Sequence, residues 1–127
     1  MNTEFDNKQP IYQQIIDRIM LEIAKGELAP GSKVSPVREF AADFKVNPNT
    51  MQKALSKLEE MGYMYTERTS GRYVTQDATL IESLKASLPT EITAKYVREM
   101  EDHGISSETI PAYVAEYISK RKDANNG

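Results

Sequence analysis

The chain has 127 residues, with 16 Lys/Arg against 19 Asp/Glu and no cysteine. The length fits one ordinary domain or a small domain with an appendage, and the missing thiols exclude disulfides, thiolate metal sites and cysteine nucleophiles and suit a reducing, cytoplasmic setting. At 39% hydrophobic and 28% charged residues a packed core is within reach, while no apolar run approaches the roughly 20 residues that span a bilayer and the polar opening MNTEFDNKQP has no signal-peptide stretch.

The first predicted helix runs from Pro10 to Lys25. Tyr12, Ile15, Ile16, Ile19 and Ile23 recur every three or four residues and make one apolar face. Proline suits the helix start and Gly26 its stop. A loop with a Pro30-Gly31 turn follows. Val37, Phe40, Ala41 and Phe44 predict a short second helix over Pro36–Phe44, with Ser35 as its cap and Pro36 in its first position. After Lys45-Val46, Asn47 caps a third helix with Pro48 at its first position, reaching Met61 before Gly62. Its expected core face is Met51, Ala54, Leu55, Leu58 and Met61; its other face carries Asn49, Gln52, Lys53 and Ser56.

Two short strands are predicted at 63–67 and 72–75, joined by a turn at 68–71. Strands this short must pack on the helices. Residues 76–127 read as helical. Leu80, Ile81, Leu84 and Leu88 form one stripe, and Pro89 is expected to kink or split that helix. Ile92, Tyr96 and Met100 continue the face as far as His103-Gly104. Ser106 is expected to cap a last helix with Ile110, Tyr113, Val114, Tyr117 and Ile118 inward, and Lys122 to Gly127 to form a disordered tip.

The expected fold is therefore mainly α with a small β-hairpin: a winged helix-turn-helix over residues 1–75, then a helical dimerisation tail over 76–127. Three short helices and a hairpin suit DNA, because the third helix can enter the major groove with its N-terminal residues nearest the base edges. Charge agrees once it is localised. Residues 1–75 balance 10 basic against 10 acidic side chains, residues 33–57 are net +3, and the whole net charge of −3 lies in 76–127. DNA responds to the local patch that faces it. Asn49 and Gln52 are amides able to bond adenine bidentately, Thr50 suits a phosphate or a thymine methyl, and Lys53 and Lys57 suit phosphates. Arg72, near the hairpin tip, is placed to enter a minor groove. Asn47 is a helix cap first and a base contact second; the plainer alternatives elsewhere are a solvated helix face for Lys53 and Lys57 and solubilisation of the hairpin by Arg68 and Arg72.

Pro10-Ile11-Tyr12-Gln13-Gln14-Ile15, Gly26-Glu27-Leu28-Ala29-Pro30-Gly31, Val37-Arg38-Glu39-Phe40-Ala41, Val46 through Ala54, and Arg68 through Val74 together resemble the GntR family of bacterial regulators. The resemblance covers about residues 10–75. It implies that Arg38 contacts DNA from the second helix, that Thr50 does so from the recognition helix, and that Arg68 and Gly71 belong to the wing. It departs at Val34-Ser35-Pro36, where the family commonly has Leu-Pro-Ser, so a DNA contact by Ser35 rests on a different local order. It departs again at Lys45 and Thr69, where glycine is usual, and at Pro48 and Gln52, where some branches carry arginine.

The short tail is similar to that of the YtrA-type subfamily, where such a tail makes the dimer interface. Leu80, Ile81, Leu84, Leu88, Ile92, Tyr96, Met100, Ile110, Tyr113 and Tyr117 are the expected dimerisation residues. A chain of this size buries only about two thirds of its unfolded surface, so a partner subunit helps. The expected partners are an operator duplex, a second copy of the chain and a small effector in the cleft between tails. The residue set implies no cofactor, no metal, no membrane and no enzymatic activity. The acidic net charge leaves one competing reading, a winged helix that binds protein rather than DNA. His103 is expected to interact with the C-terminal end of its helix.

Overall fold

In the computed structural model, which describes residues 9–126, the isoleucine spacing of the first segment produces α1 (Ile11–Lys25), with Ile15, Ile16, Ile19 and Ile23 buried. Pro10 stands one position earlier than expected. It is the N-cap, in an extended conformation, and its carbonyl accepts from the amides of Gln13 and Gln14 at 3.1 and 3.3 Å. Gly26 closes the helix at φ 83°, a left-handed turn that glycine adopts without steric cost.

Helix α2 (Val37–Phe44) begins after Pro36, which is itself the N-cap and offers no side-chain acceptor. The expected cap by Ser35 is therefore corrected: the serine lies one residue too early, exposed ahead of the helix. Glu39 in the first turn complements the helix dipole instead. Phe40 and Phe44 meet edge to face at 5.2 Å, and both are buried. Lys45 then takes the left-handed conformation (φ 58°) that lets the chain turn directly into α3 (Pro48–Glu60). As expected, Asn47 caps α3, its side chain accepting the Asn49 amide at 2.7 Å, with Pro48 at the first position. Met51, Ala54, Leu55 and Leu58 form the buried face. Met61 does not join them. It lies past the last helical residue, where the chain turns away at Gly62 (φ 91°), and is 40% exposed.

The wing is β1 (Met64–Glu67) paired antiparallel with β2 (Gly71–Val74), so that Met64 faces Val74, Tyr65 faces Tyr73 and Thr66 faces Arg72. Met64 and Val74 anchor it in the core, and the rings of Tyr65 and Tyr73 stack at 5.6 Å. A third extended segment, read as loop from the sequence, borders the other edge of β2. The Gly31 amide donates to Val74, the Val74 amide to Ser32 and the Val34 amide to Arg72, at 2.8–3.0 Å.

Helix α4 (Ala78–Asp102) is capped by Asp77, whose carboxylate accepts the Leu80 amide at 3.1 Å. The helix runs through Pro89, so the expected split does not occur. Proline deprives one carbonyl of its partner, which a helix of 25 residues tolerates at a local cost. The chain forms two compact units, one through Lys85 and one from Ala86 onward. Ile81 and Leu84 are buried in the first unit, so these two expected dimerisation residues are core residues of the single chain.

The second unit holds the rest of α4 and α5 (Ile110–Asn126). At the end of α4, where Gly104 takes φ 83°, the His103 ring Nδ1 lies 2.8 Å from the Glu99 carbonyl oxygen, which can only accept, so the ring donates. Ser106 stands ahead of the turn that leads into α5, its hydroxyl oxygen accepting the Glu108 amide at 3.4 Å and its carbonyl the Thr109 amide at 3.0 Å. Ile110 is buried as expected for an inward residue, which also removes it from any free surface. Tyr113, Val114, Tyr117 and Ile118 were expected inward, but all are exposed. The expected disordered tip is corrected as well, since α5 continues to Asn126; Gly127 lies outside the described residues.

Candidate nucleic-acid interface

Burial of Met51, Ala54, Leu55 and Leu58 turns the opposite face of α3 to solvent. That face presents Asn49, Gln52, Lys53 and Ser56, with Thr50 half-buried beside them. The Asn47 cap takes up the Asn49 amide, leaving the Asn49 side chain on the surface. Gln52 donates to the Ser56 hydroxyl one turn on at 3.0 Å, so the amide is held along the helix axis yet remains exposed. Lys53 Nζ lies 3.9 Å from the centre of the Tyr12 ring, a cation–π contact that ties α3 to the start of α1. Tyr12, expected as a core residue, is thus also the neighbour of an exposed lysine on α3. Arg38 on α2 is exposed and enters no ion pair among the described residues. Lys57 pairs loosely with Glu60 at 3.6 Å on the surface.

The wing is built differently from the sequence reading. Arg68 is exposed in the turn, as a contact residue requires. Gly71 adopts φ 123°, a backbone conformation that favours glycine, and a Cβ there would lie 3.2 Å from Cε of the flexible, exposed Lys33 side chain. Lys33 enters the sequence expectation only as part of the basic stretch 33–57. It bridges Tyr73 from the third extended segment and adds an exposed cation beside the wing. Arg72 is a residue of the wing that contacts the recognition helix. Its side chain is 18% exposed and turns back onto α3, Nη2 lying 3.4 Å from Glu59 Oε2. Arg72, expected to enter a minor groove, is held against Glu59 in the chain without DNA. Glu59 was missed, since its partners lie 7 and 13 residues away and no local pattern announces them.

Three helices with a hairpin wing, a capped third helix bearing amides on its solvent face, and a free arginine on the second define a winged helix-turn-helix DNA-binding protein. The chain belongs to the gntR family of bacterial regulatory proteins, whose family model matches residues 11–74. It is 37% identical over 108 residues to the HTH-type transcriptional regulator YhcF of Bacillus subtilis, covering 85% of this chain and 89% of that one. It is 34% identical over 109 residues to the HTH-type transcriptional repressor YtrA of the same organism, covering 84% and 83%. Similarity along nearly the whole chain places it in the short-tailed, YtrA-type branch. Among solved structures it resembles a GntR-family transcriptional regulator from Listeria monocytogenes, with a TM-score of 0.76, 40% identity and coverage of 88% and 98%. The DNA-binding domain of AraR, crystallised with operator ORR3, matches at a TM-score of 0.50 with 28% identity, over 59% of this chain and 88% of that one. The protein is thus a DNA-binding transcription factor of this family and not an enzyme. Among the described residues no helix is long and apolar enough to cross a membrane.

Proposed function

We propose that the protein is a sequence-specific transcriptional repressor that binds a pseudo-palindromic operator as a homodimer. The observation that carries this reading is the solvent face of α3. Asn49 and Gln52 stand exposed beyond the Asn47 cap, and Arg38 lies unpaired on the preceding helix. Side-chain amides and arginine are the groups that read base edges, while Lys53, Lys33 and Arg68 suit phosphates. The operator complex of AraR and the repressor YtrA support the DNA and repressor parts of the reading.

The second unit supports the homodimer part of the reading. Ile92, Tyr96, Tyr113, Val114, Tyr117 and Ile118 are all exposed. Four of them line a groove of about 680 Å³ between α4 and α5, whose walls are mostly apolar. A second copy of the same helices would cover this face, and two-fold symmetry would set two recognition helices about one DNA turn apart, roughly 34–36 Å.

Selection from a randomised duplex library at about 0.15 M salt, where non-specific contacts weaken, tests the proposal. The expected result is an enriched two-fold-symmetric motif. Absence of enrichment, with binding that disappears as salt rises, would overturn it in favour of a non-DNA partner.

A further inference from the structure

Glu59 occupies the C-terminal part of α3, beyond the residues suited to bases, and it has no place in the DNA reading so far. Its two carboxylate oxygens are used separately. Oε1 accepts the Thr66 hydroxyl at 2.6 Å, and Oε2 accepts from Arg72 Nη2 at 3.4 Å. Thr66 and Arg72 are a directly opposed cross-strand pair, one on β1 and one on β2. A single side chain of the recognition helix therefore holds both strands of the wing.

The arrangement depends strongly on that carboxylate. Arg72 is mostly enclosed, and its Nε is buried without a hydrogen-bond partner. Glu59 is the only anion paired with it among the described residues. Removing the charge would leave an enclosed guanidinium uncompensated, a state proteins avoid by moving the cation out to water. Arg72 sits in β2 directly after Gly71, so its departure would carry the wing tip with it.

We infer that Glu59 is a positioning residue for DNA recognition: it braces the wing against the recognition helix, so that the major-groove and flanking contacts are made in fixed register. This rests on the DNA-binding reading above and deepens it, because a brace matters only where helix and wing touch the same duplex.

The test compares the full-length wild type with Glu59→Gln, Arg72→Gln and the charge-swapped double variant Glu59→Arg/Arg72→Glu. Each is put through selection from the randomised library and through amide hydrogen exchange without DNA. For Glu59→Gln, faster exchange is expected in residues 64–74, with the α1 and α3 core amides unchanged. In the selected motif, preference at the outer, wing-contacted positions should collapse while the inner α3-read positions persist. Affinity should fall by roughly tenfold, the worth of about one charged hydrogen bond. The swapped pair should recover the outer positions. A merely structural role would instead weaken all positions together and speed exchange in the core. Either that pattern, or a Glu59→Gln motif with intact outer positions, overturns the brace while leaving the DNA reading standing. A wild type that enriches no motif overturns the DNA reading and the brace with it.

Discussion

At the scale of single residues, exposure separates contact candidates from structural ones. Arg38 and Arg72 are both expected DNA contacts from the sequence, Arg38 on the family resemblance and Arg72 on its place near the hairpin tip. In the structure Arg38 is free at the surface, whereas Arg72 is enclosed against Glu59. Arg38→Ala should thus weaken operator binding by about 1–3 kcal/mol while leaving the melting temperature unchanged, as titration of the selected duplex and a thermal melt would check. Unchanged affinity would remove Arg38 from the interface. Glu22 gives a pH prediction. It is 8% exposed on α1, and burial pushes its carboxyl above the ordinary range, helped by a hydrogen bond to Glu27 and that group's charge. Glu27 is held below the ordinary range by the same hydrogen bond and by Lys25, 3.1 Å away. A carboxyl raised on folding binds protons more tightly in the native state, so stability falls as pH climbs from its unfolded value through its raised native value. Glu22→Gln should therefore gain melting temperature over wild type at about pH 7 and lose that advantage toward about pH 4. A constant difference across that range would show that Glu22 does not titrate in this window. What was legible at this scale was local chemistry: the Asn47-Pro48 cap needs only neighbours in sequence. The Glu59 brace and the inward turn of Arg72 need the hairpin to fold back on α3, which no short window encodes.

At the scale of elements, periodicity located every helix, and its failures share one cause. A repeat of apolar residues names a face but not what covers it. The face held by Ile15, Ile16, Ile19 and Ile23 is buried by the rest of its own unit, whereas the face of Tyr113, Tyr117 and Ile118 is left open in the single chain. Met61 fails for a related reason, since the repeat was extended one residue past the helix end. The extended segment at 31–34 was invisible because its order comes from pairing with β2 rather than from alternation of its own. The join between α2 and α3 yields a prediction. Lys45 is the one non-glycine residue with positive φ among the described residues. Left-handed backbone costs an L-residue about 1–2 kcal/mol, part of which glycine returns through its looser unfolded chain. Lys45→Gly should stabilise the protein by about 0.5–1 kcal/mol, read as a higher urea midpoint at constant slope. A lower midpoint would mean that the lysine side chain contributes more than the strain removes.

At the scale of the whole molecule, the chain separates two tasks that its sequence mixes. The first unit closes its own core, including Ile81 and Leu84 from the start of α4, and leaves a polar, locally basic face on α3. The second unit buries Ile110 but exposes most of its other large apolar side chains, with Ile92 60% and Tyr117 67% accessible. Its two helices enclose too little volume to cover both faces, and apolar surface left in water forgoes about 25 cal/mol per Å². The same residues that fail as monomer core are thus suited to a partner, and the net charge of −3 in residues 76–127 makes this stretch a poorer match for DNA phosphates than residues 33–57. Ile92 distinguishes the possibilities, because it lines the groove yet is mostly exposed. An aspartate there costs the isolated chain little, whereas at a symmetric interface it is introduced twice and buried both times. Ile92→Asp should convert a dimer to a folded monomer in sedimentation analysis, leave circular dichroism nearly unchanged, and reduce operator binding to the level of an isolated half-site. A wild type that sediments as a monomer at micromolar concentration, or a variant that remains dimeric, would move the dimer contact off this groove.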